Sequence, residues 1–190
     1  MSAASALSFL SPTAALDGVA LRTPMEAAHV AAGAQVEERD GWRIATYPET
    51  DAPVWVADLS QLAKFELRGP ASANGDGLRL TPTRTLVLGE PPVALGPQAI
   101  DVTCVYAAVR IGGPEVPALF GRISALDIRP RSFPVGSVML GSIARCPGIV
   151  VNEGAGRLLL MVGWEYGAYL WETVLDAGAP LGIRPRSEAP

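Results

Sequence analysis

This chain is poor in reactive side chains. Its 190 residues include one histidine, His29, and two cysteines, Cys104 and Cys146. A structural zinc site usually recruits four Cys or His ligands, so none is expected. A Ser-His-Asp or Cys-His centre would have to run through His29 alone. Charge is sparse as well: 18% of residues are charged and the formal net charge is −4. Capture of phosphate backbones needs a positive surplus, so no nucleic-acid partner is expected. The notable apolar run, Leu158-Leu159-Leu160-Met161-Val162, has the length of a buried strand rather than a membrane span. Residues 1–21 lack an initial positive charge, and Ser5, Ser8, Ser11 and Pro12 interrupt their apolar letters, which argues against a signal peptide. Two cysteines far apart in the chain fit a reducing compartment. The expectation is a soluble cytoplasmic protein with no membrane contact. Lysine is nearly missing: of 15 basic residues only Lys64 is lysine. Arginine is favoured at interfaces, although a genome biased toward Arg, Ala, Gly and Pro gives the same composition.

What the chain has is apolar surface. Hydrophobic residues make up 49%, enough for one well-buried domain and too few residues for two. Residues 1–21 read as a loosely ordered arm, 22–185 as a single domain divisible into halves 22–97 and 98–185, and 186–190 as a tail. Thr23 and Pro24 predict the N-cap and first turn of a helix from Met25 to Ala32, closed by Gly33. Alternation around Asp40-Gly41 predicts a hairpin, and 54–58 and 64–68 read as strands. Residues 71–77 read as a loop. Residues 78–88 form a second hairpin around Thr81-Pro82-Thr83-Arg84, and 89–97 a Pro-rich connector. Val102 to Ile111 reads as one strand. Val116, Leu119, Phe120 and Ile123 then fall on one stripe of a helix over 115–124. Strands follow at 137–144, 148–152 and 157–162. A last helix spans 165–177, with Tyr166, Tyr169, Leu170, Thr173 and Val174 sharing a face and Gly178 as cap. The order predicts an α+β fold, a mainly antiparallel sheet with helices packed on one face. An internal echo joins the halves. Asp58-Leu59-Ser60 leads through a strand to Gly69-Pro70, and Asp101-Val102-Thr103 leads through a strand to Gly113-Pro114. Two copies of Asp, aliphatic, hydroxyl, strand, Gly-Pro suggest pseudo-repeated halves around one core.

Each candidate site has a plain structural alternative. His29 sits among alanines, and Glu26 one turn earlier is its available orienting partner; otherwise it is a half-exposed helix histidine. Cys104 has no electropositive neighbour and Cys146 follows Arg145, yet both read as unreactive structural thiols. Gly112-Gly113-Pro114-Glu115 and Gly154-Ala155-Gly156 match no nucleotide loop. Residues 26–58 hold seven acids against two arginines, whereas 121–147 hold four arginines and one acid, Asp127. That asymmetry is either a complementary surface or a solvated face. Tyr166, Tyr169, Trp164 and Trp171 read as core aromatics.

The stretch Asp101–Leu119, with its Asp, hydrophobic, Thr, strand, Gly-Pro and helix, resembles the aminomethyltransferase-like, folate-binding superfamily. Leu126-Asp127-Ile128-Arg129-Pro130-Arg131-Ser132-Phe133-Pro134-Val135-Gly136 and Leu170-Trp171-Glu172-Thr173-Val174-Leu175-Asp176-Ala177-Gly178 resemble the gamma subunits of heterotetrameric sarcosine oxidases. Thr23–Gly69 resembles the N-terminal segment of the same superfamily, so the likeness runs over about 22–185. It implies a two-halved aminomethyltransferase-like fold and a subunit rather than a free enzyme. Similar gamma subunits assemble with larger alpha and beta flavoprotein chains and a small zinc-binding delta chain. FAD, FMN, NAD and tetrahydrofolate are then expected on those partners, with none in this chain. The departures point the same way. Folate-dependent relatives carry Gly-Tyr-Thr-Gly-Glu, where this chain has Val150-Val151-Asn152-Glu153-Gly154-Ala155-Gly156-Arg157. The family's catalytic Asp has no acidic counterpart in Thr83-Arg84-Thr85-Leu86-Val87-Leu88. No catalytic, cofactor or metal residue is carried over.

The leading expectation is therefore a non-catalytic assembly subunit of a flavin-dependent sarcosine or N-methyl amino acid oxidase or dehydrogenase. Arg129, Arg131 and Phe133, stiffened by two prolines, are its partner-binding candidates. A stand-alone tetrahydrofolate-binding one-carbon protein is the alternative, and a homo-oligomeric scaffold is the third.

Overall fold

The computed structural model describes residues 19–69, 77–89 and 99–188. The arm over 1–18, most of the 71–77 loop and nearly all of the 89–97 connector lie outside the described residues. A three-stranded sheet holds β1 (Leu21–Arg22), β2 (Gln35–Arg39) and β3 (Trp42–Thr46) in the order β1-β3-β2. The predicted hairpin turn is present: Asp40 and Gly41 take φ of 52° and 75°, the left-handed pair a two-residue turn requires. The helix α1 (Glu26–Ala31) precedes it. Thr23 does not cap α1 with its side chain; Met25 is the N-cap and the buried Thr23 hydroxyl has no partner among the described residues.

The body of the protein is two sheets face to face. Strands β4 (Trp55–Asp58), β9 (Tyr106–Gly112), β10 (Val138–Ile143), β11 (Cys146–Gly154), β12 (Arg157–Gly163) and β13 (Arg184–Pro185) form a six-stranded sheet. Its order is β10-β11-β12-β9-β4-β13, antiparallel except at β13–β4. Strands β5 (Lys64–Arg68), β6 (Leu78–Thr81), β7 (Arg84–Leu88) and β8 (Ala99–Asp101) form an antiparallel sheet ordered β6-β7-β5-β8. The helices α1, α2 (Val116–Ile123) and α3 (Gly167–Gly178) cover the other face of the larger sheet. This explains why Leu158–Val162 is apolar throughout. Leu158, Leu160 and Val162 face the helices, while Leu159 and Met161 face the smaller sheet. A strand covered on both faces has no polar side to present. The α2 stripe is buried as its period predicts. On α3 the buried aromatic is Trp171, whereas Tyr166 and Tyr169 are 41% and 45% exposed. The helix begins at Gly167, after a single turn over Trp164–Tyr166, and its buried stripe runs through Gly167, Leu170, Trp171, Val174 and Gly178, which leaves Tyr169 at the edge.

The strand expected over 102–111 is interrupted. Asp101 ends β8, a single helical turn spans Thr103–Val105, and β9 starts at Tyr106. That interruption is the second copy of the repeated turn. Asp58 Oδ1 accepts the Ser60 N–H at 2.9 Å, and Asp101 Oδ1 accepts the Thr103 N–H at 2.8 Å. Each turn then reaches into the other half. Leu59 N–H donates to the Ala108 carbonyl, and Ser60 Oγ accepts the Ala108 N–H. Equivalently, Val102 N–H donates to the Lys64 carbonyl, and Thr103 Oγ1 accepts the Lys64 N–H. The strands are exchanged in the same way: β4 pairs with β9 and β8 with β5.

Lys64 lies where the two turns meet and is fully buried. Its ammonium donates to the carbonyls of Ser60 at 2.9 Å, Leu62 at 2.8 Å and Thr103 at 3.4 Å, one donor for each. Burial lowers its pKa to about 8, opposed by the charges of Asp58, Cys104 and Asp101. The unfolded amine titrates near 10.5, so between pH 8 and 10.5 the unfolded chain binds the extra proton. Stability contributed by this group therefore grows with pH across that window and is lost as pH falls through 8. We expect wild type to gain roughly 3 kcal/mol relative to Lys64→Met across the window. Urea unfolding of both proteins at pH 7.5, 9 and 10.5 measures it, and parallel pH profiles would refute it.

Candidate functional site

The single histidine is not half-exposed. α1 packs on the core with His29 1% exposed, on the same helical face as the buried Met25 one turn earlier. Its orienting partner is not Glu26, which turns away and meets Arg43 Nε at 3.1 Å. Asp58, at the end of β4, places Oδ2 3.0 Å from His29 Nε2. Tyr47, just past β3, places its hydroxyl 2.8 Å from Nδ1. The Trp171 ring packs edge-on at 4.4 Å. These partners lie 18 and 29 residues away along the chain, beyond the reach of helical periodicity.

With Asp58 ionised, Nε2–H donates to it, and a neutral imidazole then accepts the Tyr47 hydroxyl at Nδ1. The order acid, imidazole, hydroxyl is that of a nucleophilic triad, but the hydroxyl is a phenol. Burial, with the Asp58 charge beside it, pushes Tyr47 up to about 12. It stays protonated at neutral pH and acts as a hydrogen-bond donor. The adjoining cavity is about 110 Å³ and is lined by Tyr47, Asp58, Arg186 and Glu188 among others. It is large enough to admit water. The arrangement is a latch. It ties α1 and the N-terminal sheet to β4, and Ser187 extends it by accepting the Tyr47 N–H at 2.7 Å. Glu188 pairs with Arg110 at 2.8 Å, so residues 186–188 are held against the body rather than trailing as a tail.

The other candidates fall elsewhere. Cys104 is exposed on the turn after β8 and Cys146 is buried at the start of β11. Burial pushes both thiols up, so neither is activated. Arg129 and Arg131 are exposed on the 124–137 loop. Arg129 grips Asp127 with both Nε and Nη2, which holds that carboxyl well below its usual range. Phe133 is not presented to solvent: it is fully buried in the main core and anchors the loop from beneath. In the Val150–Arg157 stretch, Asn152 donates to the Phe133 carbonyl and Glu153 clamps Arg110. Gly154, Ala155 and Gly156 form the left-handed turn between β11 and β12. In the Thr83–Leu88 stretch, Arg84 pairs with Glu66 at 2.5 Å. No group of three or more His, Cys, Asp or Glu residues suited to a metal occurs among the described residues. None of the helices described is long and apolar enough to cross a membrane.

The arrangement has relatives among solved structures. A chain of the heterotetrameric sarcosine oxidase from Corynebacterium sp. U-96, in complex with pyrrole 2-carboxylate, superposes with a TM-score of 0.65 at 18% identity. The match covers 89% of this chain and 98% of that one. Glycine cleavage system aminomethyltransferase T from Bartonella henselae gives 0.62 at 16% identity, covering 87% of this chain and 59% of that one. The fold is aminomethyltransferase-like. In sequence, the aminomethyltransferase of Porphyromonas gingivalis is 28% identical over 83 residues, 42% of this chain. The match spans 22% of that relative's length. No family model matches the chain. Within this fold the latch is a buried polar contact between layers, and its removal is measurable. His29→Ala leaves the Asp58 carboxylate and the Tyr47 hydroxyl without their partner, so we expect a loss of about 3 kcal/mol. Tyr47→Phe removes one bond and should lose about 1 kcal/mol. Urea unfolding at pH 7 measures both. A His29→Ala loss under about 1 kcal/mol would sink the latch.

Proposed function

We propose that this chain is a non-catalytic assembly subunit of a flavin-dependent oxidase or dehydrogenase acting on sarcosine or a related N-methyl amino acid. The carrying observation is one of length. The chain spans 98% of a sarcosine oxidase chain but only 59% of aminomethyltransferase T, which is the relation of a subunit to a subunit. Residues in the two stretches compared with the folate-dependent relatives support the reading, because they are engaged in holding the fold: Glu153 with Arg110 and Arg84 with Glu66. In this proposal FAD, FMN, NAD and tetrahydrofolate belong to partner chains, among them larger alpha and beta subunits and a small zinc-binding delta subunit, in the cytoplasm. The 124–137 loop is the proposed contact, with Arg129 and Arg131 outward and Phe133 fixing its shape from below. Arginine is enriched among the few interface residues whose truncation costs more than about 1 kcal/mol.

A free-standing tetrahydrofolate-binding chain is the second reading, favoured by the likeness to aminomethyltransferase T over 87% of this chain. The two separate cleanly. Tagged chain purified from its native host should carry larger, flavin-coloured chains, and Arg129→Ala/Arg131→Ala should cut their recovery about tenfold. A colourless chain recovered alone overturns the assembly reading. Heat on titrating the isolated chain with tetrahydrofolate supports the second reading, and its absence rejects it.

A further inference from the structure

The six-stranded sheet ends at β10, and this edge is unusual. Val138-Met139-Leu140-Gly141-Ser142-Ile143 contains no charge and no proline, the two devices that normally protect an edge. Its register fixes which groups face outward. Ile143 pairs with Cys146 across the two-residue turn Ala144-Arg145, so Ile143, Gly141 and Met139 bond to β11. Val138, Leu140 and Ser142 therefore turn their N–H and C=O away from the sheet. The Ser142 carbonyl accepts the Ser124 hydroxyl at 2.7 Å. The main-chain groups of Val138 and Leu140 bond to no described residue, and the Leu140 side chain is 50% exposed.

Beside this edge lies a cavity of about 590 Å³ between the two sheets, walled by Leu80, Tyr106, Leu140 and Ile149. Two guanidiniums border it, those of Arg84 and Arg145, and no acid lines it among the described residues. Arg84 is already paired with Glu66, whereas Arg145 forms no ion pair among the described residues. Arg145 is held there at a conformational cost. Ala144 and Arg145 take φ of 49° and 67°, a turn that Asn-Gly would make with less strain.

We propose that the β10 edge and this cleft dock an extended segment of a partner chain, added as a seventh strand. Main-chain bonds to Val138 and Leu140 supply the pairing, the cleft takes an apolar side chain, and Arg145 takes a carboxylate. The charge selects the occupant. A second copy of this strand would bring Val138–Ile143, without an acid, against the unpaired Arg145. A partner segment alternating apolar and acidic residues satisfies both. The proposal names a contact for the assembly reading and rests on it for the existence of a partner. Its test uses this chain alone, so the outcome is separable from co-purification.

The test titrates the ¹⁵N-labelled full chain with three blocked nonapeptides. One alternates valine and glutamate, one alternates valine and lysine, and the third is the glutamate peptide N-methylated at alternate amides. The glutamate peptide should shift the amides of Val138, Leu140 and Arg145. Binding should weaken at least tenfold for the lysine peptide and for Arg145→Glu, and should vanish on N-methylation. Absence of glutamate-peptide binding, or equal binding of all three, overturns the proposal. So does sedimentation showing a dimer of the free chain with the β10 amides already protected, which would make a second copy the occupant.

Discussion

Two short turns, each opening on an aspartate, hold this fold together by crossing over. The hydroxyl and the amide of one turn are spent on the backbone of the opposite half, and the strands before and after each turn are exchanged to match. Neither half closes its own ladders, so a cut between residues 97 and 98 would leave two incomplete sheets. The ammonium of Lys64 sits between the turns and satisfies carbonyls from both. Where the first copy has Lys64 the second has Ala108, and this asymmetry gives the pair a single central donor instead of two competing charges.

Asp58 connects that interlock to the rest of the molecule. One oxygen shapes the first turn and the other receives His29, so the residue that starts the repeat also fastens the N-terminal helix and sheet. Groups that look catalytic in a list of residue types are thus consumed by architecture. The same holds for Glu153 and Arg84, engaged by Arg110 and Glu66. With these polar side chains committed internally, the loops and one sheet edge are the surfaces left for outside contacts.

Much of this was readable before any coordinates. Period-two and period-3.6 patterns located the hairpins and the α2 stripe, and the repeated Asp, aliphatic, hydroxyl signature marked both turns. The errors have local causes. Val102–Ile111 reads as one strand because a helical turn of three apolar or small residues leaves no break in the pattern. Tyr169 reads as core because it neighbours Leu170 on the helix, whereas the buried stripe is centred one position further on, through Trp171. Phe133 reads as an exposed anchor because its neighbours are prolines and arginines, and only the sheet beneath shows why it is buried. The His29 partners were invisible for a simpler reason: hydrogen bonds over 18 and 29 residues leave no trace in spacing.

Placing the only lysine at the centre of the interlock has a chemical corollary. Lysine side chains are the usual targets of acylation, reductive alkylation by aldehydes and ester-based crosslinking, and in the native fold this chain offers none of them an ε-amine, since Lys64 is 0% exposed. A label on that amine reports that the two halves have come apart, which turns a compositional scarcity into a built-in reporter of opening.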